Sequence, residues 1–409
     1  MKTEEKYSEI MSYREYRSPK RQERERKERR KRKRENSDVI LSSPDKSLLI
    51  VVVFLVVIGL LAIFSATAPK CLREGVNLAT FLIKQLLYAG VGFGAMLFFS
   101  NFDYKKLEKF NKHFLWIVIG LLIILQFTPL GVTINGAKRW INLGIMQLQP
   151  SEFAKPLFCI LLATLFKDKI NLNTVLKNLG IVVPMLAIIL LILKQPNLSM
   201  AVILSMTTLS LYIAGRGSWI PIWFGGGVLG AGVLTMLPKL LHGYQMDRIT
   251  VWLNPGSDAL GKGYNIIQSL IAFATGGFSG TGYGSSIQKL AYLPECHTDF
   301  IFAIIAEEFG FLGCLFVVGL FVALVHRGMR IAKRCPDMYG KLLAIGITFV
   351  FGFQAFLNMS VASSLLPVTG VTLPFISYGG TSIIVSLAMI GILLNISKQR
   401  IKKLRTENE

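Results

Sequence analysis

The chain has 409 residues, 52% of them hydrophobic, and a formal charge of +21. So apolar a composition, arranged in long uncharged runs, excludes an ordinary soluble domain and reads as an all-α, polytopic integral membrane protein. The basic excess lies in the N-terminal tail and in short loops between apolar runs. Membrane orientation accounts for it there, with no nucleic-acid partner required.

Residues 1–46 form a basic tail, expected to be disordered and to face the anionic leaflet of the membrane. Its centre, Lys20 to Arg34, carries eleven basic and three acidic residues. Apolar segments follow at 47–67, 80–100, 113–130, 152–167, 178–194, 197–215, 218–237, 300–325, 341–359 and 379–397. Each is long enough as a helix to cross a hydrocarbon core of about 30 Å, the shortest with help from flanking residues. The first begins after a long charged tail and is long enough to remain a span, unlike a cleaved signal peptide.

Ten spans place both termini on one side. Lys105, Lys106, Lys109 and Lys112, the 168–177 loop, the Arg327–Lys341 loop and the basic end 398–409 mark that side as cytoplasmic. The Gly131–Ser151 loop, the 195–196 turn, a large loop at 238–299 between spans seven and eight, and the 360–378 loop then face outward. Within 238–299, residues 263–274 have apolar positions at helical spacing, followed by a glycine-rich run from Gly276 to Gly284. Those glycines permit unusual backbone angles and close approach to a ligand. With no strand–loop–helix context around them they are a weak phosphate signature. Residues 360–378, with Pro367, Gly370 and Pro374, read as a folded loop lining a cavity.

Five cysteines (Cys71, Cys159, Cys296, Cys314, Cys335) are scattered without C-x-x-C spacing and read as free thiols, although Cys71 and Cys296 fall on the same expected side.

The polar groups on the outer side carry the chemistry. Glu295, His297 and Asp299 stand directly before the eighth apolar run, and Glu307 and Glu308 lie inside it. An acid that must border or enter a bilayer is costly, which makes it a candidate functional group. The plain alternative for Asp299 is a helix cap; the chemical one is a general base. Glu307 and Glu308 are expected to bind cationic or hydroxyl groups of neighbouring helices. Lys138, Arg139, Trp140, Glu152 and Lys155 gather near the outer face. One reading is interfacial anchoring, with Glu152 and Lys155 paired across a helical turn. The other is a cationic site for an anionic headgroup, Arg139 contacting phosphate. Gln195-Pro196-Asn197 reads as a tight turn between helices. No second histidine cluster supports a resident metal at Glu295–Asp299, and no G-x-S-x-G elbow supports a serine hydrolase. A weakly held divalent ion (Mg or Mn) shared with substrate phosphates is the metal chemistry that fits.

The run Leu293-Pro-Glu-Cys-His-Thr-Asp-Phe-Ile-Phe-Ala-Ile-Ile-Ala-Glu-Glu-Phe-Gly310 resembles the signature of the SEDS family (shape, elongation, division and sporulation proteins). Asn135-Gly-Ala-Lys-Arg-Trp140, Gln149-Pro-Ser-Glu152, Gly263-Tyr264, Gln268-Ser269, Gln288-Lys-Leu290 and Leu373-Pro-Phe-Ile-Ser-Tyr-Gly-Gly380 support it, in family order across 47–397. The resemblance implies a ten-span glycosyltransferase of the bacterial cytoplasmic (inner) membrane that polymerises lipid II on the outer face. It places the family's essential acid on Asp299 and its functional tryptophan on Trp140. Lys138, Arg139, Lys155, Lys289, Glu295 and His297 become candidate substrate contacts. Gln195, Ser377 and Tyr378 become cavity residues, with Glu152, Glu307 and Glu308. The family partner is a class B penicillin-binding protein, within a division or elongation complex. Gln288 to Glu295 is closer to the cell-division branch and Pro367-Val-Thr-Gly370 to the elongation branch. Where the family commonly has Q-P-D, this chain has Gln195-Pro196-Asn197, which removes an acid from that turn. A lipid II flippase and a non-catalytic scaffold are the competing readings; the first predicts inverted repeats, which are not evident.

Overall fold

The computed structural model describes residues 39–134, 137–142, 144, 147–168, 178–215, 250–259, 261 and 263–401. The charged centre of the tail, the expected span at 218–237 and the first part of the large loop lie outside the described residues.

Helices occupy the remaining apolar segments: α1 (Lys46–Glu74), α2 (Thr80–Asn101), α3 (Tyr104–Phe127), α4 (Pro150–Phe166), α5 (Leu179–Lys194), α6 (Leu198–Ala214), α7 (Tyr264–Gly276), α8 (Ile301–Arg334), α9 (Met338–Ala362) and α10 (Gly380–Ser397). Six of the described helices are long and apolar enough to cross a membrane; α5 and α6 are shorter apolar helices. Local chemistry sets the ends. Asp45, Asp103, Asn197 and Asp337 accept N-terminal amides of α1, α3, α6 and α9, and Gly75 closes α1 in the left-handed conformation at φ 66°.

Exposure separates lipid-facing helices from the core. Phe54 and Leu61 on α1, Leu87 and Phe98 on α2, Trp116 and Phe127 on α3, and Phe311 and Leu315 on α8 are exposed. A soluble protein would bury such a surface, but acyl chains cover it at no cost. α9 and α10 form the centre, with α10 packed along α2 and α9 between α8, α4 and α6. A Cβ on Gly391 would lie 2.4 Å from the Met96 carbonyl, so α2 and α10 approach at backbone distance.

Two small sheets depart from the all-helical expectation. β2 (Gly131–Ile134), β3 (Ala137–Asn142) and β4 (Gln147–Leu148) form an antiparallel sheet where a loop is expected, with Val132 opposite Trp140 and Ile141 opposite Leu148. At the other end of the bundle β1 (Val39–Leu41) pairs with β5 (Gln399–Ile401), joining the two chain ends just outside the first and last helices. The expected tails, 1–46 and 398–409, are therefore not wholly unstructured where they meet the bundle.

The glycine-rich run explains a break in α8. At Gly310 the backbone turns to φ 63° and the helical ladder is interrupted. The Phe311 and Leu312 amides donate to the Gly277 and Phe278 carbonyls, while the freed carbonyls of Glu307 and Glu308 accept from the Thr281 and Gly282 amides. These four groups beside the break are thus paired, as a low-dielectric setting requires. The close approach that the glycines permit is to helix backbone: a Cβ on Gly280 would lie 2.2 Å from the Glu308 carbonyl.

Both acids beside the break are buried and partnered. Glu307 accepts from the Ser286 hydroxyl and, at 2.8 Å, from the Ile287 amide. Glu308 accepts from Ser65 on α1 at 2.5 Å and from the Lys289 ammonium at 2.8 Å, while Lys289 also donates to Ser65 at 2.8 Å. Removing one member of such a pair leaves a buried charge without its counter-ion. Lys289→Met is therefore expected to lower stability by about 3–5 kcal/mol, and a double change with Glu308→Gln to recover a large part of it. Unfolding of the detergent-purified variants checks this.

Candidate active site

The outward-expected segments converge at one end of the bundle. α8 does not begin at Asp299: its N-cap residue is Phe300, which makes no side-chain cap, so Asp299 stands one residue outside the capping position. Asp299 instead lies at the end of a turn whose carbonyls are tied down one after another. The Tyr378 amide donates to the His297 carbonyl at 3.0 Å, the Ser377 hydroxyl to the Thr298 carbonyl at 2.6 Å, and the Asn358 amide to the Asp299 carbonyl at 2.8 Å. On the other side, the Thr298, Asp299 and Phe300 amides all donate to the Glu295 carbonyl.

Arg139 reaches this turn from β3. Its Nε donates to the Gln195 carbonyl at 3.3 Å and its Nη2 to the Pro196 carbonyl, which binds the sheet to the turn between α5 and α6. Its Nη1 and Asp299 Oδ2 each lie 3.3 Å from where a Gly370 Cβ would stand, so twice that distance is the upper bound on their separation. Carboxylate and guanidinium thus stand close together beside a residue with no side chain. Gln195 is buried, and neither polar atom of its amide has a partner among the described residues.

Several expected cations are committed elsewhere. Lys138 donates to the Thr128 carbonyl at 2.7 Å, capping the end of α3. Lys155 is buried, paired with Glu152 at 2.6 Å and donating to Gln354 Oε1 at 3.0 Å, and Gln354 in turn donates to the Thr372 carbonyl at 2.9 Å. Lys289 belongs to the Glu308 pair described above. In this conformation all three serve the frame, which leaves Arg139 as the expected cation placed beside Asp299.

The remaining candidates are placed as follows. Glu295 is exposed, with a positive φ of 54°, and accepts from the Thr298 hydroxyl at 3.0 Å. Trp140 is half-buried on β3. His297, Phe81 and Tyr378 form a three-ring group with centroids 5.4–5.8 Å apart, and Lys70 lies 5.2 Å above the Phe81 ring. Cys71 and Cys296 remain separate thiols, and burial pushes Cys296 up to about 11. Among the described residues no group of three histidines, cysteines or acids is arranged to hold a metal.

Asn358, Gln354 and the strands β2, β3 and β4 escape a reading of the sequence. The first two sit in an apolar run where an amide is an ordinary helical residue. The third had a signal: Asn135-Gly136 between two short apolar stretches is a hairpin sequence.

Burial, and after it Lys70, holds His297 below its ordinary value of 6.5. Folded protein then takes up this proton less readily than unfolded chain, so stability falls as the pH drops below about 6.5. The unfolding midpoint is expected to decline over that range, and less steeply in His297→Gln, as followed by thermal unfolding at stepped pH.

Comparison with known proteins extends the picture. A family model described as "Cell cycle protein" (FTSW_RODA_SPOVE) matches residues 45–402. The chain is 39% identical over 361 residues to stage V sporulation protein E of Bacillus subtilis, covering 87% of this chain and 98% of that protein. It is 38% identical over 360 residues to a probable peptidoglycan glycosyltransferase FtsW of Trichlorobacter lovleyi, covering 87% and 94%. Among solved structures it is similar to one described as "Structural coordination of polymerization and crosslinking by a peptidoglycan synthase complex", with TM-score 0.70, 26% identity, and 87% and 97% of the two chains covered. It is also similar to the rod shape determining protein RodA of Thermus thermophilus, with TM-score 0.63, 25% identity, and 87% and 96% covered.

Proposed function

The chain belongs to the FtsW/RodA/SpoVE family of cell cycle proteins, and on that footing we propose that it is a peptidoglycan glycosyltransferase polymerising lipid II, with Asp299 as its general base. The observation that carries the assignment is the proximity of Asp299 and Arg139 at Gly370, with Asp299 on a turn whose carbonyls are tied down one after another. The acceptor's sugar 4-hydroxyl enters beside Asp299, which takes its proton as the oxygen attacks the anomeric carbon of the donor. The bond to the lipid diphosphate breaks on the opposite face, so an α-linked donor yields a β-linked glycan. One base suffices for such an inversion, and no sugar–enzyme bond is formed. Arg139 stabilises charge on the departing undecaprenyl diphosphate. A divalent ion, Mg or Mn, would arrive with that diphosphate and share its charge.

The proposal includes the setting. The site end of the bundle faces outward across the cytoplasmic membrane, and the paired chain ends face the cytoplasm, as the basic loops require. The partner is a class B penicillin-binding protein. The likeness to a synthase complex that couples polymerisation to crosslinking supports that partner. The FtsW and sporulation relatives support a septal, division-type role over elongation.

Asp299→Asn is expected to lower polymerisation of labelled lipid II by at least about 100-fold, while leaving the unfolding midpoint and partner binding intact. The assay uses purified protein with its transpeptidase. Equal polymer from both forms would remove Asp299 as the base. Absence of polymer from an intact wild-type complex would return the flippase and scaffold readings. In the same assay Gly370→Val, which inserts a side chain between Asp299 and Arg139, is expected to reduce turnover by one or two orders of magnitude.

A further inference from the structure

We infer that Asn358 is a positioning residue that sets where the Asp299 carboxylate stands; this rests on the reading of Asp299 as the general base. Asn358 lies near the end of α9, is 1% exposed, and its side-chain NH2 donates twice. One hydrogen bond goes to the Asp299 carbonyl at 2.8 Å and the other to the Val371 carbonyl at 2.6 Å. Its Oδ1 has no partner among the described residues, so both of its hydrogen bonds come from the donor side.

The two carbonyls belong to the two walls of the site. Asp299 supplies one wall. Val371 follows Gly370, and the Val371 amide closes a short turn back to the Thr369 carbonyl at 2.9 Å. Gly370 is the residue beside which Asp299 Oδ2 and Arg139 Nη1 converge. A single buried amide therefore fixes the gap between the acid and the wall it faces. The neighbouring links, Ser377 to Thr298 and Tyr378 to His297, hold the turn on the segment after Gly370, but neither reaches Asp299 itself. Without Asn358 two buried carbonyls lose their donor, and the residue bearing the carboxylate loses a direct tie to the opposite wall.

A displacement of about 1 Å at a reacting group costs on the order of 100-fold in rate. An effect confined to the base lowers kcat and leaves lipid II binding unchanged. The experiment measures kcat and KM for lipid II in full-length protein with its transpeptidase, each normalised to folded protein. The variants are Asn358→Ala, Asn358→Ser, which keeps one hydroxyl donor, and Asn358→Asp, which turns an acceptor toward both carbonyls. Asn395→Ala is the control. Asn395 is also buried and bridges segments, donating to the Ser100 carbonyl at 2.8 Å and accepting from the Tyr104 amide at 3.1 Å, at the opposite end of the bundle.

The expected result is a 10- to 100-fold fall in kcat for Asn358→Ala and Asn358→Asp and a smaller fall for Asn358→Ser, with KM within about two-fold of wild type. Asn395→Ala is expected to lower the unfolding midpoint and keep its kcat. Wild-type kcat in folded Asn358→Ala, a loss seen only in KM, or an equal loss of kcat in Asn395→Ala would each overturn the positioning role. Loss of folded protein in every Asn358 variant would overturn it too, making the residue a determinant of the fold. Asp299→Asn in parallel separates the two ideas: if that variant is fully active, the reading of the base fails first. If it is inactive while Asn358→Ala matches wild type, only the present inference fails.

Discussion

Three successive main-chain carbonyls, of His297, Thr298 and Asp299, each accept a hydrogen bond from the stretch between Asn358 and Tyr378. The site depends on this stitching. A turn at the mouth of a membrane helix has carbonyls that helix geometry does not satisfy, and each one left unpaired in a low-dielectric setting costs free energy. Here their partners come from far along the chain. The acid is therefore held by the last third of the fold, and its position is as rigid as the packing of α9 and the loop after it. Ser377 does double work, accepting the Leu373 amide at 2.7 Å while donating to Thr298.

A second constraint is the distribution of charge within the bundle. Glu152 with Lys155, and Glu308 with Lys289, are ion pairs almost wholly removed from solvent. Desolvating two charges is recovered only by close geometry and further hydrogen bonds. Both pairs have these, through Gln354 and through Ser65. Their cations are consequently bound into the frame. Each pair also joins elements distant in sequence: α4 to α9 and the loop beyond it, and α1 to α8 and the segment before α8. The charges thus lock the helices that carry the site, and Arg139 is left as the expected cation beside Asp299.

The break in α8 shows how a membrane protein accommodates irregular backbone. The segment from Gly277 to Gly282 enters the gap at Gly310 and completes the hydrogen bonds on both sides of it. Glycine is needed because the backbones come too close for any Cβ, and because Gly280 and Gly310 both have positive φ. The same insertion brings Ser286 and Lys289 to Glu307 and Glu308, so the loop and the acids form one structural unit.

Long apolar runs, punctuated by basic loops, determined the helices by themselves, because twenty apolar residues in lipid have little alternative to a helix. Most apolar segments outside 218–237 begin and end within a few residues of observed helices, while α1, α3 and α8 extend seven to nine residues past the apolar segment at one end; α7 falls on the stretch with apolar positions at helical spacing. The pairing of Glu152 with Lys155 was also legible, since three residues bring them to one face of a helix. The residues around Asp299 were legible as a set, through the motifs that mark the family. Tertiary structure alone decided which cation stands beside the acid: Lys138, Lys155, Lys289 and Arg139 are equivalent as charges in a sequence, and only packing turns the three lysines to partners elsewhere and leaves one arm of Arg139, held by the Gln195 and Pro196 carbonyls, beside Asp299. It likewise decided what Asn358 and Gly370 stand beside. A hydrogen bond between residues 59 positions apart has no local signature. The place a missing side chain leaves open exists only once two distant segments have been brought together.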